Sequence, residues 1–185
     1  AKGIAKKHTP EESMNLGMAY VPPDRRREGI VKELSIEKNL ILSRLKHYTF
    51  NSFLNEKKIK ESADSYMKLL NIRAVDSQML LENLSGGNQQ KVVIARWLDV
   101  GPDVLILNEP TRGVDVGAKV EIYALIDELA KQGLAIIMIS SEIPEVIGMC
   151  DRILVMNKGR LSGEYDSAGL DQETLLNAAS GIKAS

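Results

Sequence analysis

From residue 104 to 156 the chain alternates unbroken apolar runs with amphipathic ones. VLIL (104–107) and AIIMIS (135–140) read as strands buried on both faces of a parallel sheet. Between them, GAKVEIYALIDELAKQG (117–133) spaces its apolar residues along one face of a helix, with Gly133 placed as its C-cap. IPEVIGMC (143–150) is a short helix, and DQETLLNAAS (171–180) is another. RILVM (152–156) and RLSGEY (160–165) flank Asn157-Lys158-Gly159, which predicts a hairpin. Upstream, SGGNQQKVVIARWLDV (85–100) is a glycine-rich turn running into a helix.

The first half is patterned differently. Thr9-Pro10-Glu11-Glu12 carries the cap, first-turn proline and third-position glutamate of a helix start, and that helix ends near Gly17. MAYV (18–21) is a short strand stopped by Pro22-Pro23, and DRRREG (24–29) is a charged loop. Ser35 caps a helix through EKNLILSRL (37–45). Ile59, Ala63, Tyr66, Met67 and Leu70 share one face of a second helix over 55–71. Residues 35–80 are thus mostly helical, with no strong strand signal. No internal repeat or low-complexity linker interrupts the 185 residues.

Composition narrows the class. With 44% apolar and 26% charged residues the chain is an ordinary globular domain, of a size that buries roughly 70% of its unfolded surface. A formal charge of −1 gives no bulk attraction for nucleic acid. Cys150 is the single cysteine, so no internal disulfide forms, and a reducing compartment fits. Within IGMCDRIL it reads as a small buried hydrophobe rather than a reactive thiol. No apolar run approaches the ~18 residues of a membrane span. AKGIAKKHTP reads as an interior segment rather than a leader, so any membrane role depends on a partner.

Three stretches carry candidate chemistry, each with a plainer reading beside it. In LSGGNQQK (84–91), glycines open the backbone at a helix start, whose free N–H groups favour an anion such as phosphate. The plainer reading is a serine-capped helix. In VLILNEPTRGVD (104–115), Glu109 stands at the carboxyl end of a strand, where open α/β sheets bind ligands. It can take a proton from an attacking water, or it can cap the next turn. Asp115 either meets a partner surface or N-caps helix 117–133. In MISSEIPEV (138–146), Ser141 either bonds a phosphate or water or caps the next helix.

Taken together, LSGGNQQK, NEPTRGVDVGAK and MISSEIPEV, with GMAYVPPDRRREG, resemble an ABC-type ATPase domain. The closer resemblance is to the second ATPase half of bacterial sugar-import subunits of the ribose, galactose and xylose kind. It implies an α/β fold: a partial P-loop NTPase with a mostly parallel sheet, flanking helices, a helical subdomain and a C-terminal β-hairpin. It implies three parts: a remnant of the ATPase core (1–34), the helical subdomain (35–84), and the signature helix with the rest of the core (85–185). Ser85, Gly86, Gly87 and Asn88 become the signature motif, which in the family meets the γ-phosphate of ATP held by the opposing half. Glu109 takes the position of the catalytic base. Gly113 and Asp115 fall in the D-loop, and Ser141 at the switch position. Pro23 and Asp24 fall in the Q-loop region, which faces membrane subunits.

The same resemblance exposes departures. No G-x-x-x-x-G-K-[ST] occurs, so the phosphate cradle of the family is missing from these residues. The chain therefore reads as a fragment that begins after the P-loop, and the expectation is no ATP turnover by the chain alone. The acid before the base is Asn108. At ~4 Å and an effective dielectric near 20, neutralising a carboxylate forfeits roughly 4 kcal/mol of attraction per unit charge facing it. The usual switch histidine is Ser141, which cannot hold a positive charge. A glutamine is absent at Pro23.

ATP and Mg²⁺ are thus the cofactors of the intact protein, with neither held tightly here and no metal bound directly. The implied partners are the first ATPase half of the same polypeptide, membrane permease subunits and, indirectly, a sugar-binding protein. The implied place is the cytoplasmic face of a bacterial inner membrane. An alternative is a catalytically silent half that donates LSGGN and grips the permease. A DNA-repair or chromosome-structure ATPase is disfavoured by the near-neutral charge and the absence of heptads. The open sheet edge also predicts self-association.

Overall fold

The computed structural model describes residues 8–181, so most of the N-terminal segment AKGIAKKHTP, residues 1–7, lies outside the described residues. Helix α1 (Pro10–Asn15) starts on the predicted capping box: Thr9 Oγ1 accepts from the Glu12 N–H, and the Glu12 carboxylate accepts from the Thr9 N–H. Strand β1 (Met18–Val21) follows. Residues Arg25–Gly29 then form a turn of π-helix capped by Asp24, where the sequence predicted an irregular charged loop. Two residues of that turn, Arg25 and Gly29, are buried, which a surface loop would not require.

Ser35 caps α2 (Ile36–Leu40), which passes into a 3-10 helix over Ile41–Tyr48 instead of continuing as α-helix. Non-helical dihedrals at Arg44 mark the kink. A two-residue-per-strand hairpin, β2 (Thr49–Phe50) and β3 (Phe53–Leu54), turns through Asn51 and Ser52, both at positive φ. The sequence reading missed it, since neither turn residue is a glycine. Helix α3 (Glu56–Leu69) buries Ile59 and Ala63 as predicted. These pack with Ile36, Leu40, Tyr48, Leu81 and Val92 into one apolar cluster beneath α4 (Gly86–Leu98).

Helix α4 is unusual in burying polar side chains: Gln89, Gln90, Lys91 and Arg96 are all buried. Arg96 donates from Nε to the Asn39 carbonyl at 2.7 Å and from Nη2 to Asn39 Oδ1 at 3.0 Å. Burial holds its guanidinium well below the usual range, at about 10. Tyr48 donates to Asp99 Oδ1 at 2.5 Å, and its phenol is pushed up to about 12, first by burial and then by that bond. Buried polar groups need partners, and here they fasten α4 to the helical region before it.

The sheet has the order β1-β4-β5, with β4 spanning Val104–Asn108 and β5 spanning Ala135–Ile139. β1 and β4 are parallel, with Met18 opposite Val104 and Val21 opposite Leu107. Ala19, Val21, Leu105 and Leu107 are buried on one face, against which α4 packs. The other face stays open enough to leave Val104, Ile106 and Asn108 half-buried and Tyr20 exposed. VLIL is therefore buried on one face only, a correction to the sequence reading. β5 departs further, with Ile137 53% and Ile139 47% exposed. Among the described strands it lies at the edge of the sheet, and its continuous apolar run does not reflect burial on both faces. Asp115 caps α5 (Val116–Lys131), and Gly133 follows at φ +96, one residue beyond the C-cap Gln132.

The chain divides into two compact units, the first ending at Ile137 and the second beginning at Met138. In the second, α6 (Ile143–Met149), β6 (Arg152–Asn157), β7 (Arg160–Asp166) and α7 (Gln172–Ser180) follow in order. The β6–β7 turn has positive φ at Lys158 and Gly159, as a two-residue primed turn requires. Ile153, Val155, Leu175 and Ala178 form this unit's core. Cys150 packs against it, half-buried, and burial raises its thiol pKa, consistent with an inert side chain.

Candidate functional site

Two groups of predicted site residues lie in the first unit, one at the start of α4 and one at the end of β4. At the start of α4, Ser85 adopts an extended N-cap geometry, and its Oγ accepts from the Asn88 N–H at 3.4 Å and from Asn88 Nδ2 at 3.0 Å. The other end of the Asn88 amide accepts from the Arg73 N–H at 2.9 Å. Serine and asparagine therefore hold each other, and the asparagine ties the turn to residue 73.

An open cleft of about 200 Å³ lies over this helix start. Ser85, Gly87 and Asn88 line it together with Asp115, Gly117 and Ala118 of the next helix start, and Arg73 and Glu121 complete it. Ser85, Gly87, Asn88 and Asp115 thus share one cavity. Two acids against one arginine leave its lining net negative, so any bias toward an anion has to come from the α4 N-terminus and the Ser85 hydroxyl. Asp115 accepts from the Ala118 N–H at 2.9 Å, so its capping role is realised while it also lines the cleft.

The glycines serve close packing within the chain. A Cβ on Gly87 would collide with Ala118 Cβ, and one on Gly86 would strike the Arg25 guanidinium and stand 3.3 Å from the Gly113 carbonyl oxygen. Gly113 itself sits at φ +67. The two loops predicted to carry signature and D-loop residues meet here without side-chain bulk between them.

Behind the cleft, Lys91 is buried and places Nζ 2.7 Å from the Glu121 carboxylate and 3.0 Å from the Asn71 carbonyl oxygen. Arg73 Nη2 takes the other Glu121 oxygen at 2.7 Å. The hydrogen bond from Lys91 is the largest reason the Glu121 carboxyl is held below the usual carboxylate range. Arg25, Arg73, Glu121 and Tyr20 were not among the residues the sequence reading singled out. Arg25 is one of three consecutive arginines, and nothing in that run marks it as the buried one.

At the end of β4, Asn108 Nδ2 donates to the Tyr20 hydroxyl at 3.0 Å. The contact follows from register: Tyr20 pairs with Ile106, so Tyr20 and Asn108 share a face. Glu109 is half-buried and has φ +50, the left-handed region where a glycine would be unstrained. Its carbonyl accepts from the Arg112 N–H at 3.1 Å, closing a turn over buried Pro110 and Thr111. Pro23 and Asp24 leave β1 at this same carboxyl edge, and Asp24 Oδ1 accepts from the Arg26 and Arg27 N–H groups.

In the second unit, the Ser140 hydroxyl donates to the buried Glu145 carboxylate and accepts from the Glu142 N–H at 3.0 Å. The Ser140 hydroxyl thus fastens the start of α6. Ser141 is exposed.

Comparison with known proteins decides the family. The ABC transporter family matches residues 2–112, well over half of the chain. The chain belongs to the ABC transporter family. Ribose import ATP-binding protein RbsA of Geobacillus kaustophilus is 47% identical over 173 residues, covering 94% of this chain and 35% of that protein. Its counterpart in Bacillus subtilis is 45% identical over 172 residues, covering 93% and 35%. The chain thus spans about a third of the length of these relatives. An ATP-binding cassette of an ABC transporter in its ADP conformation superposes with TM-score 0.73 at 22% identity, covering 95% of this chain and 69% of that one. A component of a Clostridium perfringens ABC transporter complex gives 0.69 at 26%, covering 94% and 66%. The α/β architecture, with its parallel sheet and flanking helices, is that of an ABC ATPase, and no described helix is long and apolar enough to cross a membrane.

This fold implies a nucleotide and Mg²⁺. At the β4 end, the residue before Glu109 is a neutral amide whose NH₂ is engaged by Tyr20. Among the described residues no three His, Cys, Asp or Glu side chains gather. That end offers a metal one carboxylate, Glu109, beside a neutral amide. The α4 cleft does fit the terminal oxygens of a phosphate, through the Ser85 hydroxyl and the helix N-terminus.

Proposed function

We propose that this chain is part of the second ATPase half of a sugar-import ATP-binding protein, with residues 35–84 as its helical subdomain. Its working end is the α4 cleft. Ser85 to Asn88 would complete a nucleotide site whose phosphate cradle belongs to another ATPase half. Coupling of ATP use to uptake of a monosaccharide would follow through permease subunits at the cytoplasmic face of a bacterial membrane, the Q-loop region at Pro23 and Asp24 facing them. The observation that carries this is the built signature cleft: Ser85 and Asn88 are locked to each other, Asn88 to residue 73, and Gly87 into α5. The two ribose-import relatives support the sugar class.

In the working complex the Ser85 hydroxyl would donate to a γ-phosphate oxygen, and the α4 N-terminus would favour the charge that develops there. Glu109 keeps the position of a base, while Asn108 itself supplies no charge to a metal. We infer that this half serves chiefly as a donor of the signature motif, and Gly113 and Asp115 would line the contact between halves. The test is uptake of labelled ribose, galactose and xylose by cells whose only copy of the full-length protein is wild type or Ser85→Arg. Loss of uptake of at least one sugar in the variant is expected. Equal uptake of all three sugars by both strains, or no uptake by either, would contradict the reading.

A further inference from the structure

The π-helical turn after β1 hides a buried cation that no role assigned above accounts for. Arg25 is 6% exposed, whereas its neighbours Arg26 and Arg27 are exposed. Its guanidinium is shared among three elements. Nη1 donates to the Arg112 carbonyl at 2.8 Å and Nη2 to the Gly113 carbonyl at 3.0 Å. Nε reaches Gln89 Oε1 at 3.5 Å, and Gln89 Nε2 in turn donates to the Leu81 and Leu84 carbonyls at 3.2 and 3.1 Å. None of these partners carries a charge. Burial pushes the guanidinium below its ordinary range, Arg26 adds to that, and only Asp24 opposes it.

A buried arginine answered by two successive main-chain carbonyls is a geometric device. The planar fork fixes the distance and orientation of both peptide groups at once, which a lysine's single ammonium cannot do. Arg112 and Gly113 lead directly to Asp115 at the cleft. Gly86, first residue of α4, has no side chain, and a Cβ there would occupy the space of Nη2. The turn at 25–29, the loop at 112–113 and the start of α4 are therefore fastened at one guanidinium.

We propose that Arg25 is a positioning residue: it sets the D-loop against the signature turn according to the conformation of the turn after β1. Movement of that turn, which the proposed function places beside the permease, would be passed to the 112–115 loop by pulling on its carbonyls. The geometric part stands independently of the sugar-import reading, and only the coupling part rests on it.

The experiment has two arms on the full-length protein. In the first, hydrogen exchange is followed by mass spectrometry on peptides covering 109–117 and 56–69, for wild type, Arg25→Lys and Arg25→Ala. Arg25→Ala should speed exchange in 109–117 by tenfold or more and leave 56–69 within twofold; Arg25→Lys should fall between. Unchanged exchange in 109–117, or equal acceleration in both peptides, would overturn the bracket. In the second, ATP hydrolysis by the complex with its permease is measured for wild type and Arg25→Lys, which keeps the charge and the fold. Arg25→Lys should lower kcat fivefold or more with KM for ATP within twofold. A fall confined to KM, or no change, would overturn the coupling role. If the wild-type complex hydrolyses no ATP, the sugar-import reading fails, coupling falls with it, and the first arm alone decides the bracket.

Discussion

The start of α4 and the end of β4 are both candidate phosphate-facing positions, yet they are built differently. The α4 start is braced from several sides. Arg25 holds the 112–113 carbonyls beside it, Gly87 seats against Ala118, and Lys91 and Arg73 bind Glu121 behind it. The β4 end has a tyrosine on an amide and a glutamate in a left-handed turn. Buried, mutually satisfied polar groups mark the first; at the second, Tyr20 and Asn108 lie on the half-open face of the sheet. Under the proposed function, this difference suits a half that presents the Ser85–Asn88 turn to another ATPase half.

The comparison can be broken most sharply at Gly87. Gly87→Val would drive a branched side chain into Ala118, and overpacking of this kind costs about 3 kcal/mol. Urea unfolding should show that loss, and Ala118→Gly in the same chain should recover at least half of it. An unaltered midpoint would mean that α4 and α5 are not closely seated. Next is the ion pair behind the cleft. Glu121→Gln leaves the buried Lys91 ammonium with neutral acceptors only, at a cost of about 2 kcal/mol.

The acid limb of the stability profile sharpens the point. The folded chain holds the Glu121 proton less tightly than the unfolded chain does, so this contribution is complete above the ordinary carboxylate range. It is lost as pH falls through the lowered folded value. Glu121→Gln should flatten that limb, and an unchanged acid limb would contradict the pairing.

At the alkaline end the signs reverse. Tyr48 keeps its proton to about 12 in the folded chain, against 10.0 ordinarily. Stability should therefore decline between those values as the unfolded phenol ionises first, and Tyr48→Phe should remove this slope. Tyrosine absorbance near 295 nm should show the Tyr48 phenol ionising late, with burial also holding Tyr66 above the ordinary range. The smallest effect belongs to the β4 end: Tyr20→Phe removes one hydrogen bond on the half-open sheet face and should shift stability by less than about 1 kcal/mol. A larger loss would mean that this end is braced as firmly as the other.

Much of this was legible in the residues. Capping signals placed α1, α2, α4 and α5 because a serine, threonine or aspartate at an N-cap acts locally, through its own first turn. The hairpin at 157–160 was readable for the same reason. What depends on distant partners was not. Continuous apolar character in AIIMIS does not reveal whether a strand has neighbours on both sides, and among the described strands β5 lies at the edge. Arg25 looks identical to Arg26 and Arg27 until carbonyls 87 and 88 residues away are brought to it. Gly86 and Gly87 were readable as a phosphate-loop feature, but the chain's own packing already requires both to be glycine.

The most direct test of the central claim sets the two ends against each other in the full-length protein with its permease. ATP hydrolysis and sugar uptake are measured for Ser85→Arg and Glu109→Gln side by side. Ser85→Arg should reduce both by a hundredfold or more, while Glu109→Gln should leave both within threefold of wild type. Loss of both activities in Glu109→Gln, or their survival in Ser85→Arg, would contradict the account.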